Sequence, residues 1–194
     1  MPDLTTLGLY SGWIYEAIAS SQKGRFNHAA PVGFSTKDQA FCELVIFKSS
    51  QTWQNIQSIG EFALNLTCDL KLFEKALHAK DELDYVKAEA VSVPVLKDAD
   101  CVLELELVDT LDQGDRGKLV AWPKRIYGKL KSPPLNRAQT LYLENLIMET
   151  RVGLKNNREL KSRILENHRV IAKVAPDSDY QSMSRALLNR LGLS

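Results

Sequence analysis

No stretch of this 194-residue chain comes near the ~18 consecutive apolar residues that a membrane-spanning helix needs. Charge of neither sign dominates: 25 Lys and Arg stand against 24 Asp and Glu, a formal net charge of +1. That balance leaves no basic field to draw nucleic acid or an anionic membrane, and the basic residues are scattered rather than interleaved with aromatics on one strand face. Cysteine is scarce. Cys42, Cys68 and Cys101 are an odd number without metal-type spacing, in apolar surroundings, which reads as reduced, buried thiols. The three histidines, His28, His78 and His168, have no spaced partners, so no metal site is expected. The first 21 residues lack the basic n-region and continuous apolar h-region of a secretory signal. A cytoplasmic location is therefore expected, with neither membrane nor nucleic acid as a partner. There is no P-loop, no internal repeat and no low-complexity segment.

What is present divides at about residue 132 into a β-rich part, 1–132, and a helical part, 133–194. Residues 9–21 carry Tyr10, Trp13, Ile14, Tyr15 and Ile18; a polar turn at 22–25 follows, then FNHAAPVGF at 26–34, a hairpin pattern. Residues 40–47 supply a third strand. Thr52, Ile56 and Ile59 then fall at helical spacing before Gly60, which predicts a helix over 50–59. Residues 61–67, EFALNLT, return to strand character. Residues 69–79 read as a helix that Asp69 can cap, with Leu70, Phe73 and Leu77 on one apolar face.

Residues 80–100 carry no firm assignment. Alternation is cleanest at 101–108, with Cys101, Leu103, Leu105 and Leu107 facing one way and Glu104 and Glu106 the other. Its partner strand is expected at 117–130. Helices follow at 136–152, capped by Asn136 and ended by Gly153; at 158–174, with Leu160, Ile164, His168 and Ile171 on one face; and at 179–191. Short helices interleaved with an antiparallel sheet suggest a closed or partly closed barrel, because closure removes exposed strand edges.

Two stretches carry the functional reading. In FNHAAPVGF a proline and a glycine stand two residues apart in a strand, the mark of an edge, a bulge or a close approach to the backbone. In FKSSQTWQNI, residues 47–56, a cation and three hydroxyls (Lys48, Ser49, Ser50 and Thr52) cluster where a strand enters a helix. Free amides and the positive dipole end there suit a phosphate. Helix capping by Ser49 or Ser50 is the plainer alternative.

Taken together, N-H-A-A-P-V-G, F-K-S-S-Q-T-W-Q-N-I and G-E-F-A-L-N-L-T resemble, in order and spacing, the FMN-binding split-barrel superfamily. Within it the chain is most similar to an uncharacterised, mainly archaeal family related to the flavin reductases. The likeness is dense over 15–73 and resumes at L-N-R-A, 135–138; Ser49 departs from it, standing where the family pattern has glycine. The resemblance implies an α+β fold, an antiparallel split β-barrel with a C-terminal helical extension. It also implies FMN as cofactor: Asn27, His28, Ala29 and Ala30 along the flavin, Lys48, Ser49, Ser50 and Thr52 at its 5′-phosphate, and Asn65 on a neighbouring strand. Such barrels resemble homodimers with FMN at the subunit junction. The expected activity is electron transfer from NAD(P)H or another reduced carrier to a small acceptor, with no residue singled out as catalytic. The alternatives are a barrel that holds flavin, haem or a deazaflavin without turnover, and an interaction module.

Overall fold

The computed structural model of the chain describes residues 3–152 and 158–193. It forms two compact units: Tyr15–Leu135 with the segment ending at Ser11, and the chain from Asn136 onward with Gly12–Ile14.

In the first unit, β1 (Tyr15–Lys23) and β2 (Phe26–Ser35) pair from Tyr15↔Phe34 to Lys23↔Phe26, which leaves Gly24 and Arg25 as a two-residue turn. β1 thus starts later and ends later than the sequence suggests. The reason for the late start is Gly12, whose φ of +74° breaks any extended run before Tyr15. β3 (Cys42–Phe47), α1 (Gln51–Ile59), β4 (Glu61–Leu66) and α2 (Leu70–His78) follow. Two short strands, β5 (Tyr85–Val86) and β6 (Val95–Leu96), occupy the unassigned stretch before β7 (Cys101–Gln113) and β8 (Arg116–Gly128). The barrel is closed and antiparallel, in the order β1-β2-β3-β8-β7-β4.

Register decides which side chains share the interior. Tyr15 lies opposite Phe34, Phe34 opposite Leu44 and Leu44 opposite Leu119, while Ala19, Leu64 and Leu103 line up across β1, β4 and β7. All of them are buried. The next residues along point outward and are nonetheless buried, because α2 and the 80–100 segment cover that part of the wall. Ile18 and Ala29 pack under Leu72, Ala76, Leu83 and Leu96, and Ala63 and Val102 under Val91, Val93 and Val95.

That cover corrects three expectations. The face that α2 buries is Leu72 and Ala76, with Phe73 partly buried, while Leu70 and Leu77 are exposed. Small Ala76 lets the helix approach Ala29, and this close packing outweighs the larger leucines on the other side. Glu104 does not face solvent: it is fully buried and accepts from the backbone amides of Glu89 (3.0 Å), Ala90 and Val91 (3.2 Å). Its neighbour Glu61 accepts from the amide and hydroxyl of Ser92, both at 2.7 Å. The third correction is Cys68, which is exposed with Sγ 3.3 Å from the Ser132 hydroxyl, whereas Cys42 and Cys101 are buried. Burial pushes the Cys42 thiol up to about 12 and that of Cys101 to about 11.

The second unit contains α3 (Arg137–Val152), α4 (Arg158–Val174) and α5 (Asp179–Arg190). Asn136 caps α3, accepting from the Ala138 amide at 2.8 Å, and its side-chain amide donates to the carbonyls of Ile14 and Val174. The expected stop at Gly153 lies outside the described residues. Ile164 and Ile171 are buried as the periodicity predicts, and His168 on the same face approaches the Ser184 hydroxyl at 3.0 Å.

Candidate functional site

The barrel is closed by a very short seam. β2 and β3 pair only at Phe34↔Leu44 and Ser35↔Glu43. Beyond that point the strands separate, so residues 26–33 of β2 face no ladder partner on the β3 side. A strand with an open edge tolerates a proline, which answers why Pro31 sits in mid-strand. Into the gap opens a pocket of about 280 Å³, lined by residues 30–33 of β2, 45–47 of β3, and Ser50 and Thr52 at the start of α1.

The lining has two chemistries. Along the strands it is apolar, from Ala30, Val32, Val45 and Phe47, and at the helix it carries two hydroxyls. Ser50 is the N-cap of α1, its Oγ accepting from the Trp53 amide at 3.2 Å. Thr52 is almost fully buried, with Oγ1 3.1 Å from Nε2 of His28 on β2. The free amides of the first helical turn and the positive dipole end point the same way. Burial, and then the charge of Lys80, lower the His28 pKa below its ordinary value, so its imidazole is neutral at neutral pH.

Two contacts hold α1 there, and a bond within the helix braces the first of them. Asn55 donates to the Ser21 hydroxyl at 3.1 Å, and Gln51 donates to Asn55 at 2.6 Å. The Trp53 indole lies so close to Gly117 of β8 that a Cβ at that glycine would sit 2.0 Å from the ring.

Of the residues the sequence singled out, the fold brings Ala30, Ser50 and Thr52 to the pocket and links His28 to it through Thr52. Lys48 lies in the turn before α1, its amine 2.5 Å from Asp112 in the β7–β8 hairpin, and Ser49 follows it in that turn. Neither lines the pocket. Asn27 is exposed near the start of β2. Ala29 and Asn65 are on the covered outer wall. The Asn65 amide donates to the Ile18 carbonyl (2.9 Å) and the Ser20 hydroxyl (3.0 Å), and its oxygen accepts from the Leu96 amide (2.8 Å).

Sequence reasoning passed over Val32, Val45, Phe47 and Gly117. A signal was available for two of them. Val45 and Phe47 alternate with the buried Leu44 and Ile46, so β3 is apolar on both faces. Phe47 is half-exposed with the Arg116 guanidinium 4.3 Å above its ring, placing a second cation at the rim beside Lys48.

The chain thus forms a small antiparallel barrel, split at one seam and carrying a part-apolar pocket beside a helix N-terminus. The model of the family described as "Protein of unknown function (DUF447) N-terminal domain" matches residues 15–126, and the chain belongs to that family. An uncharacterised protein of Methanocaldococcus jannaschii is 24% identical over 196 residues, spanning 93% of this chain and 99% of its own. The crystal structure of an FMN-bound protein of Methanosarcina mazei, also of the DUF447 family, is similar at 25% identity with a TM-score of 0.58, covering 97% of this chain and 99% of that one. The 2-nitrobenzoate 2-nitroreductase of Pseudomonas fluorescens shares the fold at 16% identity and a TM-score of 0.52, over 65% of this chain and 70% of its own. The resemblance read from the sequence holds, and so does the expected α+β split barrel with C-terminal helices.

Proposed function

We propose that this chain binds FMN at the split between β2 and β3 and is a flavin-dependent oxidoreductase that takes electrons from NAD(P)H or another reduced carrier and passes them to a small acceptor. The observation that carries this reading is the pocket, which ends on the hydroxyls and free amides of the α1 N-terminus and opens between two unpaired strand edges. The FMN-bound relative of the same family supports the choice of cofactor.

The residues present fit the group. Ser50, Thr52 and the first-turn amides of α1 suit a phosphate, as donors aimed at one point. The open edge at residues 30–33 offers backbone donors and acceptors to a flat heterocycle, and Val32, Val45 and Phe47 keep water from its face. Lys48 and Ser49 complete the phosphate seat from the turn, Lys48 after leaving Asp112, while Asn27 meets the exposed part of the ligand. Ala29 and Asn65 act from behind, fixing β1 and β2 in place. When bound, FMN supplies the hydride and electron chemistry itself, so the chain needs no acid–base dyad of its own.

At about 280 Å³ the pocket is slightly below the roughly 300–1,000 Å³ usual for ligand sites, so part of the ligand would lie along the open edge. Val45 and Phe47, about half exposed beside that edge, suit cover by a second copy of the chain, in a homodimer with FMN at the junction. We place the flavin site in residues 1–132, with 133–194 as a helical subdomain, and the protein in the cytoplasm. Among the described residues no helix is long and apolar enough to cross a membrane.

The test is a visible absorption spectrum of the purified protein after incubation with FMN and desalting. Retained oxidised-flavin bands are expected, and a Ser50→Ala/Thr52→Ala double variant should lose at least ten-fold in FMN affinity while still folding. A colourless protein after reconstitution would overturn the assignment. A second reading, flavin held without turnover, draws on the lining, which has no titratable side chain of its own. Anaerobic mixing of the flavin-loaded protein with NADH or NADPH separates the two: bleaching of the flavin band supports the enzyme.

A further inference from the structure

The hydroxyl of Thr52 faces a choice that the fold has set up. Its oxygen lies 3.1 Å from Nε2 of His28 in a part-buried contact, and Thr52 itself is only 3% exposed. If the hydroxyl donates to Nε2, its lone pairs turn toward the pocket and repel an anion. If Nε2–H donates to Oγ1, the hydroxyl hydrogen is free to point at the ligand. A phosphate therefore selects the His28 forms that carry a proton on Nε2, the Nε2–H tautomer and the imidazolium.

Resting on the FMN reading of the pocket, we infer that His28 is a positioning residue that couples phosphate binding to proton uptake. It holds Thr52 as a donor toward the ligand, and a phosphate-bearing flavin binds more tightly as the solution is acidified. The groups around the ring are few. Lys80, in the short turn after α2, is the charged group that faces it; α1 presents uncharged Thr52, and β1 places Ser21 opposite it across the ladder. In the free protein burial and Lys80 both disfavour the imidazolium. A dianion on the far side of Thr52 offsets Lys80 and raises the His28 pKa in the complex.

The sign follows from linkage. Because the bound-state pKa exceeds the free-state value, the extra affinity is absent at high pH. It appears as the pH falls through the bound-state pKa and is complete below the free-state one, with ten-fold in affinity per unit of separation. Protonation of the FMN phosphate itself, near pH 6, acts in the opposite direction and must be removed by comparison with a variant.

The experiment measures FMN affinity by flavin fluorescence from pH 5.5 to 8.5 for the full chain, His28→Gln and Thr52→Val, with riboflavin as the ligand without phosphate. Gln keeps an N–H donor near Thr52 and does not titrate; Val removes the hydroxyl and leaves His28. The full chain should gain three- to ten-fold on acidification relative to both variants, and riboflavin affinity should stay flat. In parallel, the His28 ring proton, followed by NMR in the unaltered protein, should titrate at least half a unit higher when FMN is saturating. Parallel pH profiles for the full chain and His28→Gln, or a His28 titration that FMN leaves in place, would overturn the coupling while the FMN site stands. Failure to bind FMN at every pH would overturn the flavin reading and the coupling with it.

Discussion

Replacing Glu104 by Gln changes almost nothing in shape and much in chemistry. One carboxylate oxygen accepts from the Glu89 amide and the other from those of Ala90 and Val91. The Tyr127 phenol feels the same carboxylate: burial, and then the charge of Glu104, push it up to about 12. A glutamine keeps one acceptor and turns an NH2 donor toward amide donors. With its oxygen turned toward Ala90 and Val91, the charge-assisted hydrogen bond from Glu89, about 1.5–3 kcal/mol, is lost, its amide is left facing an NH2, and the two remaining bonds lose their charge assistance. Relief of the buried charge's desolvation offsets part of this, leaving a net destabilisation of about 2–4 kcal/mol. For a chain of this size each kcal/mol moves Tm by about 2–4 °C, so a fall of roughly 4–16 °C is expected by calorimetry. Hydrogen exchange localises it: protection at Glu89, Ala90 and Val91 should collapse before that of β7. A change in Tm under 1 °C with those amides still protected would refute the reasoning.

Three other outcomes are expected. Burial pushes the Glu61 carboxyl up, but the hydroxyl and amide of Ser92 and the Lys124 ammonium together hold it below its ordinary value of 4.5. Its contribution to stability is therefore present above that value and lost as the pH falls through the lowered one, seen as faster exchange at Ser92 in acid. Gly117→Ala puts a Cβ where the Trp53 ring lies, so the indole must move; about 1–3 kcal/mol of stability, a shifted Trp emission and weaker FMN binding should follow together. Asp112→Asn frees Lys48 from an exposed, solvent-screened ion pair, so FMN affinity should rise two- to five-fold, a gain that Lys48→Ala in the same background abolishes.

Much of the fold was legible because local rules and tertiary packing agree. Ser50 and Gly60 bracket α1, Asp69 caps α2, and the clean alternation in β7 places Leu103 and Leu105 in the interior. Legibility failed where packing chooses between equivalent local options. α2 has apolar residues on two sides, and only the position of Ala29 makes Leu72 and Ala76 the buried pair. Glu104 obeys the alternation that predicts an exposed side chain, and a loop some 13 to 15 residues earlier in the chain covers it. Of the site, Ser50 and Thr52 were visible as a hydroxyl cluster at a helix start, and Pro31 and Gly33 as an anomaly in a strand. That these two features line the same pocket was implied by the resemblance alone, because no local pattern joins stretches some twenty residues apart.

By itself the sequence determined the elements, their order and the chemistry of the two short stretches, because caps, turns and hydrophobic period act over a few residues. Only the tertiary structure decided that β2 and β3 pair for two residues and then part, that Trp53 seats α1 against Gly117, and that His28 meets Thr52. Those are contacts between residues 24 or more apart in the chain for the last two, and the closure of the barrel sets their distances. A seam that stops short is a property of strand register around the whole ring, and no local pattern encodes it.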